Sequence, residues 1–297
     1  MLLEIKKWFY QATLKLLRKQ AKVKLQHIEV EGHNIAYLES TRKDAKTLIL
    51  IHGLNDEKDS WLMLASALEG NYHLIIIDLL GCGESDVVED FDYTLSAQAD
   101  FLQKIIEKMM IKKSIDSFSL AGHSMGGLVV LLADRLPIGK LILIDTLGAH
   151  VKLTSMQIEA QKMGSIDELS FLNITSREDL KTLLPEVYYK VPYMPNFILD
   201  VMIEKKKAIN AFEKRKFRAI VDDNMLHRDD LTETLKSIKQ ETLIVWGKED
   251  LGIDVASAYK MHALIKNSTL KIYDECRHYP QLEKQKVLAK DIIEFLN

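Results

Sequence analysis

A serine with glycine two residues away on either side, Gly122-His123-Ser124-Met125-Gly126, follows the apolar run Ser117–Ala121 and precedes the helix-length stretch Gly126–Arg135. A serine on a sharp strand-to-helix turn presents its hydroxyl, and the small neighbours let strand and helix approach each other. The first helical N–H groups then favour negative charge developing beside it. Ser124 is therefore the candidate nucleophile for acyl transfer.

A serine hydroxyl is a weak nucleophile at neutral pH and needs a base that is itself oriented by an acid. His278, in Tyr273-Asp-Glu-Cys-Arg-His278, follows the last apolar run and is the candidate base. His123 adjoins the serine, with its side chain expected to point away from the hydroxyl, and His52 lies in a loop with another use. His27, His33, His73, His150, His227 and His262 read as surface or packing residues. Asp250, in Trp246-Gly-Lys-Glu-Asp250, follows the penultimate apolar run and is the candidate acid. Glu249 and Asp254 are its neighbours and rivals, and Asp145, at the end of an earlier run, is a further one. For the oxyanion, the N–H of Met125 and that of Leu54, in His52-Gly53-Leu54-Asn55, are the candidate donors.

Positioning these groups requires a scaffold. Gln26–Glu31 and Asn34–Glu39 flank Gly32-His33 as a hairpin. Short apolar runs then recur at Thr47–Ile51, His73–Asp78, Ser117–Ala121, Lys140–Asp145, Thr242–Trp246 and Thr269–Tyr273. Helix-length segments alternate with them, at Ser60–Leu68, Leu95–Met110, Gly126–Arg135, Asp254–Ile265 and Gln281–Phe295. Continuous Leu/Ile runs alternating with helices predict a mostly parallel sheet covered on both faces. The interval from Asp145 to Thr242 is too long for a crossover connection. Residues 148–235 are expected to form a helical cap inserted into a core of residues 25–147 and 236–297. Within the cap, Tyr188, Tyr189, Tyr193, Met194 and Phe197, in a proline-containing stretch, are candidates for an acyl pocket.

Residues 1–24 stand apart, with seven basic groups against one acid, whereas the remainder carries 33 basic and 42 acidic groups. A helix there gathers Leu2, Ile5, Trp8, Phe9, Ala12, Thr13, Leu16 and Leu17 on one side and Glu4, Lys7, Gln11, Lys15 and Arg18 on the other. That pattern suits either a membrane interface or docking on the body or a second subunit. The acidic body argues against a nucleic-acid partner. No apolar stretch is long enough to span a bilayer and no secretory signal pattern opens the chain. Two cysteines, Cys82 and Cys276, make a disulfide framework unexpected and a reducing cytoplasmic setting the default.

His52-Gly53, Asp78-Leu-Leu-Gly-Cys-Gly-Glu-Ser85, Gly122-His-Ser-Met-Gly126, Trp246-Gly-Lys-Glu-Asp250 and Cys276-Arg-His278 together resemble the successive landmarks of the α/β-hydrolase fold. The resemblance runs from about residue 28 to 296. It is nearest to the monoacylglycerol lipase and carboxylesterase branch, whose members are similar in having a membrane-associating N-terminal segment, a helical cap and an element like Lys190-Val-Pro192. It implies an eight-stranded sheet, esters of fatty acids as substrates, and no cofactor or metal. In some members the acid stands at the position of Asp145. Arg277 occupies the place of the family's usual glycine before the histidine. The same triad would also serve thioester, amide or carbon–carbon hydrolysis, and a ligand-binding protein without turnover keeps the same fold. A homo-oligomer stays open.

Overall fold

The computed structural model describes residues 2–149, 151, 155–222 and 231–297. Eight strands form one sheet: β1 (Val23–Val30), β2 (His33–Ser40), β3 (Thr47–Ile51), β4 (His73–Ile77), β5 (Phe118–His123), β6 (Ile138–Ile144), β7 (Glu241–Gly247) and β8 (Ser268–Tyr273). Their spatial order is β1-β2-β4-β3-β5-β6-β7-β8. β2 runs antiparallel to both neighbours, and every pair from β4 to β8 is parallel.

The central strands are apolar throughout because both faces of the sheet are covered. Successive strand residues point to opposite faces, so Ile49 and Ile51 of β3 join one core while Leu48 and Leu50 join the other. β4 divides in the same way, with Ile75 and Ile77 on one side and Leu74 and Ile76 on the other.

α1 (Leu2–Gln20) and α2 (Leu62–Ala67) lie on the second face with the C-terminal helix Gln285–Leu296, which buries Leu288, Ala289, Ile292 and Leu296. α3 (Leu95–Lys113) and α4 (Met125–Leu132) cover the first. α3 is capped by Thr94, whose side chain accepts from the Ala97 N–H, and ends at Ser114 in the left-handed region.

Between β6 and β7 stand α5 (Ser155–Met163), α6 (Arg177–Val187) and α7 (Asn196–Asp222). A capping box of Ser176 and Asp179 starts α6. This segment has small cores of its own: Ile174, Leu180, Leu199 and Ile203 form one, and Leu169, Leu172 and Phe217 another. Long side chains spaced as in an amphipathic helix thus pack on each other as well as on the sheet.

The expected faces of α1 need correction. Arg18, expected on the polar side, is buried, as is Tyr10. Leu14, Leu17 and the following Ala21 pack on the body. Leu2, Ile5, Trp8, Phe9 and Leu16 are exposed. The helix carries two apolar stripes, and the one holding Leu17 docks.

Candidate active site

Every group with candidate chemistry lies at the C-terminal ends of parallel strands, where the loops of such sheets converge. Ser124 follows β5, Leu54 follows β3, Asp145 follows β6, Asp250 follows β7 and His278 follows β8.

Ser124 has φ 54° and ψ −122°, a conformation that costs a non-glycine residue about 1–3 kcal/mol. The surroundings enforce it. The Ser124 N–H donates to Ile144 O at 2.9 Å, while Ser124 O accepts from the N–H groups of Gly127 and Leu147. A Cβ on Gly122 would stand 2.5 Å from Gly127 Cα, and one on Gly126 would stand 2.1 Å from His52 O. The glycine spacing is therefore a steric requirement of bringing β5, α4 and the loop after β3 together. Met125 opens α4, so its N–H is among the donors that an α-helix leaves without an internal partner.

His278 Nδ1 lies 2.8 Å from Asp250 Oδ2. The other Asp250 oxygen, Oδ1, accepts from the N–H groups of Gly252 (2.7 Å) and Ile253 (3.2 Å). Glu249 and Asp254 are engaged elsewhere, accepting from the Cys276 and Ala256 N–H groups, and Asp145, beside Asp250, accepts from the Gly247 N–H. Gly247 permits the histidine loop to close on β7, since a Cβ there would meet Arg277 O at 2.0 Å. Arg277 donates its N–H to Glu283, whose other oxygen accepts from the N–H groups of Tyr189 and Lys190. The His278 N–H donates to Val187 O at the end of α6. The histidine loop is thus tied to the inserted helices through its backbone.

Two further histidines support the site. His52 Nε2 accepts from the Leu79 N–H, so its proton sits on Nδ1, which donates to Gly53 O at 2.8 Å. Full burial drives its pKa down to about 3, so it stays neutral and holds the loop bearing Leu54. His123 donates from Nε2 to His278 O at 2.6 Å. Burial, with His278 beside it, holds its pKa well below the usual range. His73 bonds Glu39 and Thr47, away from the site, and His150 and His227 lie outside the described residues.

Ser124, His278, Leu54 and His123 line one cavity of about 290 Å³. A larger groove, between Leu17, Met63 and Ile293, holds none of these groups. The cavity has an apolar lining of Phe171, Ile174, Leu180, Leu183, Leu184 and Met202. It also has a polar lining that includes Asn55, Asp56 and Ser60. Among the described residues the Asn55 amide and Asp56 Oδ2 find no hydrogen-bond partner, and burial pushes Asp56 up to about 7.

Of the expected pocket residues only Tyr188 lines this cavity, stacked on Tyr279 with ring centroids 5.1 Å apart. Tyr193 is 91% exposed and Tyr189 47% exposed, Met194 packs on the Ile174 cluster, and Phe197 lies against Phe9. The chain leaves α6 extended at Tyr188 and runs outward before α7 begins, which carries these side chains off the cavity. The residues missed were the leucines of α6. Their spacing, Leu180, Leu183, Leu184 and Val187, is the signal of a helix with one apolar face.

Among the described residues, Asp145, Asp250 and His278 are grouped closely enough to hold a metal ion. The Nδ1–Oδ2 bond already uses the donors a cation would need there. Cys82 and Cys276 are buried free thiols, both pushed up by burial.

Residues 46–285 match the α/β hydrolase fold family. Lipase 3 of Moraxella sp. (strain TA144) is 31% identical over 88% of this chain and 80% of its own length. Monoacylglycerol lipase ABHD6 of Homo sapiens is 26% identical, over 99% of this chain and 86% of its own. The crystal structure of a membrane phospholipase A superposes with a TM-score of 0.88 at 27% identity, covering 98% of this chain and 91% of that one. The sheet order, the serine turn between β5 and α4 and the extent of these matches agree: the chain belongs to the α/β-hydrolase fold family, among the ester-hydrolysing enzymes.

Proposed function

We propose that the protein hydrolyses lipid esters, acylglycerols among them, through an acyl-enzyme on Ser124. The carrying observation is the shared cavity: a strained serine turn that lines it, a histidine bonded to a buried aspartate, and an apolar wall. Ser124 Oγ attacks the acyl carbonyl while His278 takes its proton at Nε2, the nitrogen not engaged with Asp250. The N–H groups of Met125 and Leu54 stabilise the oxyanion. His278 returns the proton to the departing alcohol, and water then releases the acid by the same route. The helices between β6 and β7 act as the cap, with their leucines against the acyl chain and the polar lining at Asn55 and Asp56 left for the alcohol part.

The three relatives named above bear lipase or phospholipase names, which supports a lipid ester over other acyl substrates. Among the described residues no helix is long and apolar enough to cross a membrane. Attachment is peripheral, through the exposed stripe of α1, with exposed Lys15 and Lys19 near it. A cytoplasmic leaflet is the side that keeps the free thiols of Cys82 and Cys276 reduced. The test is Ser124→Ala, assayed on glyceryl and p-nitrophenyl esters of graded chain length. Activity falls by on the order of 10⁶-fold and fluorophosphonate labelling disappears. Labelling that persists at another serine, or a wild-type enzyme indifferent to acyl chain length, would overturn the reading.

A further inference from the structure

Asp145 is fully buried beside the histidine–aspartate pair and is not accounted for by the chemistry above. Candidate ligand atoms of Asp145, Asp250 and His278 all lie within 4.8 Å of one another. Asp145 directly follows β6 at φ 42°, held by its N–H to Val245 O, so its carboxyl is delivered by the backbone. Oδ1 accepts from the Gly247 N–H at 3.0 Å, while Oδ2 is buried with no donor among the described residues.

Two buried carboxyls in contact do not both stay ionised, so one holds a proton. Counting donors decides which. Asp250 receives three hydrogen bonds, from His278, Gly252 and Ile253, whereas Asp145 receives one. The negative charge belongs on Asp250.

We propose that Asp145 is a positioning residue, a neutral carboxylic acid whose Oδ2–H donates to Asp250 and so fixes the carboxylate that orients His278. Burial first, and then the Asp250 charge, raises the Asp145 pKa well above the carboxylate range, in accord with a neutral acid. Apart from His278, which is a cation only when protonated, the titratable groups acting on it give it no counter-charge: Glu283 is acidic, and Tyr273 and Cys276 are neutral. The donated bond draws charge from the oxygens facing His278. Without it Asp250 would present more negative charge, less firmly held, to the imidazolium that forms on His278.

The inference rests on Asp250 and His278 acting as proposed, and Ser124→Ala tests that separately. Its own test pairs Asp145→Asn with Asp145→Val, measured as kcat/KM against pH on a p-nitrophenyl ester. Asparagine keeps a neutral donor and an acceptor for the Gly247 N–H, so its acid limb and rate stay within about twofold of wild type. Valine has neither, so kcat/KM drops about tenfold or more and the acid limb moves upward. An acid limb moved downward by Asp145→Asn shows that wild-type Asp145 carries a charge, and overturns the proposal. So does a valine variant with the wild-type rate and limb. An infrared difference spectrum of wild type against Asp145→Asn gives a readout independent of turnover and of the valine variant's folding. Loss of a protonated-carboxyl band supports the neutral acid, and absence of any such band in wild type refutes it.

Discussion

Two amphipathic helices lie on the same face of the sheet and use their apolar sides in opposite ways. The C-terminal helix Gln285–Leu296 turns Leu288, Ala289, Ile292 and Leu296 into the core and leaves Lys286, Lys290 and Glu294 in water. α1 docks partly through charge: Arg18 is buried and bonds Asp59 through Nε (2.7 Å) and Nη2 (2.5 Å), and Glu84 at 3.0 Å. Its richest apolar stripe, with Trp8 66% exposed, faces outward. Helical amphipathicity gives the angle of the apolar face without saying what covers it. A stripe left largely exposed on a helix that is otherwise docked is available to a surface other than the protein's own core.

The comparison is broken most severely from the C-terminal side. Ile292→Ala removes fully buried methyl groups where no water enters, and unfolding free energy should fall by about 2–5 kcal/mol. Urea titration measures this, and a loss under 1 kcal/mol would mean that the helix is not docked as described. The α1 counterpart is Arg18→Ala. It removes a two-point bond to Asp59 and leaves Lys58, fully buried, as the cation facing Asp59, Asp78 and Glu84. The expected cost is about 1.5–3 kcal/mol. Lys58 also donates its N–H to Asp78 at 2.6 Å, four residues after Leu54. A drop in kcat with KM nearly constant should therefore accompany the stability loss, and unchanged kcat would show that α1 is anchored independently of the oxyanion loop.

The sheet was legible because strands buried on both faces leave no polar positions, and β3 and β4 read as uninterrupted Leu/Ile runs. The same holds for the serine turn, whose glycines answer to contacts that no side chain could survive. Asp250 and His278 were legible as types and places, yet Glu249, Asp254 and Asp145 are equal to Asp250 until distances separate them. Two features stayed hidden for one reason. The Pro192–Pro195 stretch drew attention by its aromatic residues, but the direction of a side chain leaving a helix end depends on tertiary docking. The second stripe of α1, with Tyr10 and Leu14 beside Leu17, was masked by Arg18, because a buried arginine reads as a solvent residue unless its acids, far away in the chain, are known to meet it.

The smallest expected change in stability comes from the exposed stripe. Leu2→Ser/Trp8→Ser touches no buried contact of the core, so unfolding free energy should move by about 0.5 kcal/mol or less. Binding to anionic vesicles should nevertheless fall sharply, since these are the side chains that would enter the headgroup region. The molecule supplies its own probe. Of its three tryptophans, Trp61 and Trp246 are fully buried, so vesicle-dependent changes in intrinsic fluorescence report on Trp8. If α1 lies in the interface, adding anionic vesicles to wild type shifts the emission to the blue and shields it from a water-soluble quencher, and high salt reverses much of the effect by screening Lys15 and Lys19. If vesicles bind with no such shift, the membrane contact belongs to another surface, and the bare stripe of α1 must be explained by a partner protein.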